Sequence, residues 1–398
     1  MMSSACLARV AALCLSIFPS GLPPRAAAQS SQLQVRKPIS RSLYVGDEVC
    51  ASCHRSSFET FTHTAHHLTS QVAGVHSIAG SFTTGANTLS TSNPGLHFRM
   101  DAKSGRFFET ALWGIPPDTK PERKPIDVVI GSGRKGQTYL YWKGDRLFQL
   151  PVSYWVDLGQ WVNSPGYEDG YADFNRPVPP RCLECHGSFA ESLPGPPPEN
   201  HYQRETVILG ISCERCHGPG STHAARHQSA SGAVLEEAIV NPGKLSRDRE
   251  VEVCAQCHAG MRYPIAPAFT YVPGEPLDEY LDPDRSNPDS PVDVHGGQVV
   301  LLKRSACYQS SPGMTCSTCH NVHEQQRDAS AFSAHCLSCH KLEACGVFRK
   351  LGPQISNRCI DCHMPVQESK AIITDSKGRR VSARVRTHWI KVYPNNAL

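Results

Sequence analysis

Seven times along the chain, two cysteines stand three apart with a histidine directly after the second. The sets are Cys50/Cys53/His54, Cys182/Cys185/His186, Cys213/Cys216/His217, Cys254/Cys257/His258, Cys316/Cys319/His320, Cys336/Cys339/His340 and Cys359/Cys362/His363. On one helical turn, residues at i, i+3 and i+4 share a face, so each set presents two thiols and an imidazole together. This is the attachment signature of c-type haem. Two sulfurs add to the vinyl groups on one porphyrin edge, and the following histidine reaches the iron as proximal ligand.

Two other readings compete. Structural zinc is bound by paired cysteines, but it does not require histidine at that one place. Histidine is 19 of 398 residues, so its presence after all seven pairs is no accident of composition. A disulfide framework leaves the histidines unexplained. The expected cofactor is therefore haem c, seven covalently attached groups.

That count changes how the composition reads. Hydrophobic residues are 39% of the chain, with 30 glycines and 31 prolines, a thin core for this length. Seven porphyrins would supply much of the missing apolar surface. The formal net charge of +4 argues for no polyanionic partner, so no nucleic acid is expected. Arg9, the apolar run Val10 to Phe18 and Ala26-Ala27-Ala28 read as a signal peptide over residues 1–28, too short to span a bilayer. The mature chain is expected to be exported or periplasmic and not an integral membrane protein. Of 18 cysteines, Cys6 and Cys14 fall in that leader and fourteen in the motifs. Cys307 and Cys345 remain, a candidate disulfide in an oxidising compartment.

The expected fold class is a multihaem cytochrome c: mostly short helices and loops around packed haems, with an inserted small antiparallel β module. Residues 29–74 form an arm and the first haem segment, 75–175 a β-rich module without haem, and 176–398 a six-haem domain. In the module, Leu96 to Met100 and Arg106 to Thr110 flank a turn at Lys103-Ser104-Gly105 and read as a hairpin. Ile126 to Ile130, Gln137 to Trp142 and Leu147 to Leu150 read as further strands. Gly131 to Gly136 formally matches G-x-G-x-x-G, but a strand follows it where a dinucleotide site needs a helix. It reads as a hairpin loop, and no nucleotide is expected. From Cys182 to His363 the density of motifs leaves little room for sheets. A last turn is expected at Ser376-Lys377-Gly378.

Twelve histidines remain for the opposite faces of the irons. His323 lies three residues past proximal His320 and cannot pass round the ring of the same haem, so it would serve a neighbour. His223, six past His217, is a similar case. The leading distal candidates are His66, His223, His295, His323 and His388, with His67 and His76 behind them. His97 alternates within a strand and reads as packed or exposed; His63, His201, His227 and His335 are weaker. Met100 and Met314 read as core residues, and Met364 is badly placed to ligate.

The pieces Cys213-Glu-Arg-Cys216-His217-Gly-Pro-Gly-x-x-His223, Cys316-Ser-Thr-Cys319-His320-Asn-Val-His323 and Cys359-Ile-Asp-Cys362-His363-Met364-Pro365 resemble multihaem cytochromes of the cytochrome c-554 type. That family shares haem-packing motifs with octahaem hydroxylamine oxidoreductases and pentahaem nitrite reductases. The resemblance covers about Tyr44 to His67 and Arg181 to Trp389. It implies haems stacked in parallel and perpendicular pairs that pass electrons along a chain, with redox proteins or quinol-linked membrane cytochromes as partners. The β module departs from the small tetrahaem members.

Two functions follow. An electron carrier needs irons with both axial positions filled. A redox enzyme acting on a small nitrogen or sulfur compound needs an open position and proton donors nearby. The lysine-ligated haem of the nitrite reductases has no C-x-x-C-K counterpart here. The late tyrosine of the hydroxylamine oxidoreductases has only Tyr393 as a counterpart after the last motif. The carrier reading leads.

Overall fold

The computed structural model describes residues 38–115, 117–228, 238–283, 291–376 and 378–393. The expected leader lies outside them. Residues Arg36–Leu398 cluster as one unit.

Each motif rides on a short helix or helical turn. α1 (Asp47–Ala51) carries Cys50 and leads through Cys53 and His54 into α2 (Arg55–Phe61). α3 (Pro180–His186) and α4 (Cys213–His217) carry the second and third motifs; after α5 (Ser221–Gln228), α6 (Arg247–His258) carries the fourth. α7 (Gln298–Lys303) and α8 (Ala306–Ser310) precede a 3-10 turn, Cys316–Thr318, that opens the fifth. α9 (Ala329–Leu337) opens the sixth, and after α10 (Phe348–Leu351), α11 (Cys359–His363) holds the seventh. The turn itself is visible in the backbone: the amides of His54, His320 and His340 donate to the carbonyls of Cys50, Cys316 and Cys336 at 2.8, 3.0 and 2.9 Å. These i+4 bonds bring both thiols and the imidazole to one side. α6 starts after extended Ser246 and has Asp248 and Glu250 in its first turn, where the helix dipole favours them.

The strands come first as one block. They are β1 (Ser70–Val72), β2 (Thr88–Ser90), β3 (Leu96–Lys103), β4 (Arg106–Trp113), β5 (Lys120–Ile126), β6 (Val128–Ile130), β7 (Gly136–Lys143), β8 (Arg146–Gln149), β9 (Val152–Trp155), β10 (Gln160–Asn163) and β11 (Arg176–Pro177). They build a 4-stranded antiparallel sheet, β2-β3-β4-β5, and a 7-stranded sheet ordered β1-β6-β7-β8-β11 with β9 and β10 branching from β7. The period of two explains how this block meets the motif-bearing segments. Tyr139, Tyr141 and Phe148 face a core shared with Leu96, Phe98 and Met100 of the smaller sheet. Val128, Ile130, Leu140 and Leu147 face the other way, into a core with Leu183, Phe189 and Tyr202 beside the second motif. The larger sheet is thus a middle layer. β5, with the sequence Lys-Pro-Glu-Arg-Lys-Pro-Ile, tolerates its prolines and charges because it pairs on one side only.

The glycine-rich stretch after β6 is a hairpin loop. Gly131 sits at φ 110°, and a Cβ there would collide with the Gly136 carbonyl oxygen. The loop closes only with glycine at that place.

The motif-dense half holds more sheet than its sequence promised. β12 (Gly187–Ser192) and β13 (Tyr202–Leu209) form a hairpin between the second and third motifs, with the proline run in its loop. β14 (Val366–Ser376) and β15 (Arg379–Arg386) form another after the seventh. The expectation of little room for sheets is corrected. Two-stranded hairpins need only a few residues per strand, and Thr206-Val207-Ile208-Leu209 suits a strand better than a helix. Of the expected last turn, Gly378 is seen at φ 68° and Lys377 lies outside the described residues.

Candidate haem-binding centres

Four of the motif histidines have their Nδ1 atom engaged. His217 Nδ1–H donates to the Val240 carbonyl at 2.8 Å, and His363 Nδ1–H to the Lys391 carbonyl at 3.0 Å. His186 Nδ1 is 3.2 Å from Thr69 Oγ1, and His258 Nδ1 is 3.4 Å from Gln298 Oε1. A partner on Nδ1 fixes the tautomer and turns Nε2 outward as the metal-binding nitrogen.

Opposite several of these rings stands a second histidine. His54 and His223 have ring centres 6.3 Å apart at 22° between planes. His217 and His323 are 6.1 Å apart at 22°, and His320 and His388 are 6.2 Å apart at 26°. His258 and His66 are 6.0 Å apart at 80°. Two imidazoles on opposite sides of one metal ion would have ring centres about 6.2 Å apart, from bonds of about 2.0 Å and about 1.1 Å from nitrogen to ring centre on each side. The residues present therefore fit an axially ligated haem iron. His295 makes no such ring contact, yet it acts electrostatically on His186. His340 and His363 make no ring contact with a histidine, although all nineteen histidines lie among the described residues.

Burial sets the charge of these rings. Desolvation first, and then a neighbouring histidine, holds the pKa of His66, His186 and His388 down to about 4. Neutral imidazole is the form that ligates a metal. Among the described residues, no group of three or more His, Cys, Asp or Glu is gathered in a way that could hold a bare metal ion.

The thiols are not all equally enclosed. Most motif cysteines are half-buried, but Cys53 of the first motif and Cys339 of the sixth are exposed. α9 ends at Leu337, so Cys339 stands in the open turn beyond it, where its amide donates to the Cys336 carbonyl at 3.2 Å. Its Sγ lies 3.8 Å from Ser338 Oγ, while Cys336, still on the helix, points its thiol to the Phe332 carbonyl at 3.7 Å. The sixth motif therefore turns one cysteine toward its neighbours and the other, with exposed His340, toward solvent.

The family model for cytochrome c554 and c-prime matches residues 169–218, which contain the second and third motifs. The crystal structure of the outer cell wall cytochrome OcwA is similar with a TM-score of 0.50 and 17% identity, over 88% of this chain and 80% of that one. The seven motifs, this family match and this likeness in fold support a multihaem c-type cytochrome. Among curated proteins, none matches the chain.

Within this chain the motifs adjoin one another in a definite order. The Cys213 amide donates to Asp47 Oδ1 at 2.9 Å, and the Glu214 carboxylate accepts from the amides of Val45 and Gly46, each at 2.9 Å. These bonds tie the third motif to the first, and the Cys50 and Cys213 thiols are hydrogen-bonded neighbours. Cys257 Sγ lies 3.7 Å from the Glu184 carbonyl, joining the fourth motif to the second. Thr315 Oγ1 donates to Glu250 Oε1 at 2.8 Å, and Cys254 and Cys316 are neighbours, joining the fourth to the fifth. Cys216 acts on Cys254, joining third and fourth. Cys336, pushed up to about 11 by burial first, also feels Cys359 and Cys319, so the sixth motif lies between the fifth and the seventh. Cys339 in turn acts on Cys319 across the same junction.

The remaining candidates fall elsewhere. His67 packs edge-on against Phe61, and its Nδ1 lies 3.4 Å from Asp47 Oδ2. His76 is exposed. His201 Nδ1 is 2.8 Å from Asp145, and the His227 ring lies tilted beside His223 at 4.6 Å. Met100 is fully buried in the β core. Tyr393 donates its hydroxyl to the Trp389 carbonyl. The expected bridge between Cys307 and Cys345 is not formed: both are free thiols. Cys307, on α8, sits instead near Cys319 and Cys336, drawn into the surroundings of the fifth and sixth motifs. Sequence reasoning missed the groups that orient the motif histidines. Thr69, Val240, Gln298 and Lys391 act through a backbone carbonyl or a common polar side chain, which carries no spacing signal.

Proposed function

We propose that this cytochrome is an exported electron carrier with seven covalently attached haems, most of them ligated by two histidines. The observation that carries the reading is the set of facing imidazoles at 6.0–6.3 Å. Haem iron with both axial positions filled exchanges single electrons without binding substrate. In this reading His54 is paired with His223, His217 with His323, His258 with His66, His320 with His388, and His186 with His295. The cysteine pairs of all seven motifs hold the cofactors covalently, so a lost axial ligand does not release a haem. The contacts between motifs support a path running first, third, fourth, fifth, sixth, seventh, with the second branching from the fourth. His323 supports it further: it follows the fifth motif and faces the histidine of the third.

Export is supported by the leader pattern at Arg9, Val10 to Phe18 and Ala26 to Ala28, and by a structurally similar protein that is an outer cell wall cytochrome. No described helix is long and apolar enough to cross a membrane. The partners are redox proteins or quinol-linked membrane cytochromes, which would meet the path where its motifs are exposed, near Cys53 and His54 and near Cys339 and His340.

A second reading rests on His340 and His363, which face no histidine ring. A small nitrogen or sulfur compound able to ligate iron would find its place at one of these two. Stopped-flow mixing of the reduced holoprotein with nitrite, hydroxylamine or sulfite separates the readings. The carrier is reoxidised by none of these compounds at a catalytic rate; steady turnover would favour the enzyme.

A further inference from the structure

The glycine-rich loop between β6 and β7 is left without a role by everything above. Its amide at Gly131 donates to the Thr69 carbonyl at 2.6 Å, which pins the loop to the segment carrying His66. The two cations in the loop are then treated differently. Lys135 reaches outward and pairs with Asp157 at 2.9 Å. Arg134 turns inward, and its Nη2 is buried with no hydrogen-bond partner. Among the described residues no carboxylate pairs with it. Arg327 lies close enough to repel it, and Arg134 in turn acts on His66. Arg327 belongs to the stretch between His323 and α9, whose Gln325 side chain donates to the His63 carbonyl at 3.1 Å. Two loops distant in sequence therefore bring two guanidinium groups within electrostatic reach of each other, and Arg134 is the one that acts on His66.

Such a pair is unfavourable as it stands. A buried donor without a partner loses its hydration and gains nothing in return, and like charges side by side add to the cost. Guanidinium groups are suited to planar carboxylates, which they bind through paired hydrogen bonds. Each haem c carries two propionate carboxylates. We infer that Arg134 and Arg327 form the propionate-binding clamp of the haem held between His258 and His66. The inference rests on the assignment of that histidine pair as axial ligands. It gives the glycine loop a purpose: the tight turn at Gly131 aims one arginine at the cofactor and leaves the neighbouring lysine to the surface.

The test uses the holoprotein and variants Arg134→Gln and Arg134→Lys. The near-perpendicular His66 and His258 planes set this haem apart from the three near-parallel pairs, and low-spin iron between perpendicular imidazoles gives a more anisotropic electron paramagnetic resonance signal. A redox titration can follow that signal alone. Removing a cation beside a haem favours the ferric state, so Arg134→Gln is expected to lower the potential of this haem, while Arg134→Lys restores most of it. Redox difference infrared spectra should show a propionate carboxylate band that shifts in Arg134→Gln. Unchanged potential and unchanged carboxylate bands in Arg134→Gln, with the anisotropic signal intact, would overturn the clamp. Absence of the anisotropic signal from the wild type would overturn the ligand pair beneath it instead.

Discussion

Glu109 is a carboxyl group fully buried among the side chains of the β core. Its Oε1 accepts from the Val152 amide at 3.1 Å, and its Oε2 has no partner. Burial raises its pKa well above 4.5, and the Val152 hydrogen bond opposes this only partly. The folded state therefore holds a proton that the unfolded chain releases. Its contribution is present below the unfolded value and is lost as pH rises through the raised one. Glu109→Gln keeps the acceptor for Val152 and cannot ionise. We expect it to be more stable than the wild type at alkaline pH by about 1–3 kcal/mol, the cost of an unsatisfied buried polar group. Thermal unfolding from acid to alkaline pH should show the two proteins diverging as pH rises; parallel curves would contradict this. His323 gives a second prediction at this scale. His323→Ala removes the ring facing His217, so one haem should change from low to high spin with haem content unchanged. Visible spectra together with intact mass would check both halves of that statement.

At the scale of elements, the β14–β15 hairpin shows how distant residues hold the segment that carries His295. Asp293 sits two residues before His295. Its carboxylate accepts from Ser369 Oγ at 2.8 Å, from the amides of Lys370 and Ala371, and from the His295 amide at 2.8 Å. Burial raises its pKa, but these hydrogen bonds outweigh it and the net direction is downward. The stabilisation is present above the unfolded value and lost as pH falls through the lowered one. Asp293→Ala should cost about 1–2 kcal/mol, because the site is partly exposed and screened. It should also make the hairpin more sensitive to limited proteolysis; unaltered cleavage would count against the clip. Beyond the hairpin, the Ile390 amide donates to Ser305 Oγ at 2.8 Å, and that hydroxyl donates to the His388 carbonyl, which seats His388 opposite His320. Some of this was legible beforehand. The motif spacing located every cysteine pair and the histidine after it, and alternation located β3, β4 and β7. His323 is too close to His320 to turn back onto the same haem, which pointed to a neighbour, and its ring faces that of His217. The hairpin was not legible, because Val366 to Arg386 mixes charged and apolar residues without a clean period. Nor was β5, whose prolines argue against a strand unless its edge position is known. The free Cys307 and Cys345 were misread because compartment chemistry says which cysteines can pair, and only packing says which ones meet. The exposure of Cys339 was hidden for the same reason: spacing places a thiol on a turn and says nothing of what covers that turn.

At the scale of the whole molecule, the β layers and the motif segments share a core through the two faces of one sheet, and the motifs line up into a single branched path. The four facing pairs hold imidazoles from segments far apart in sequence, so each pair also joins parts of the chain. His223, His323, His66 and His388 each lie outside the motif whose histidine they face. Losing one ligand should thus loosen a link in the fold as well as alter an iron. The decisive measurement is electron paramagnetic resonance of the fully oxidised holoprotein, with signals integrated against the haem count. We predict mainly low-spin iron. Ordinary rhombic signals should come from the near-parallel pairs, one strongly anisotropic signal from the His258–His66 centre, and high-spin signal confined to the haems of His340 and His363. Predominantly high-spin iron, or low-spin signals without the anisotropic component, would contradict this picture.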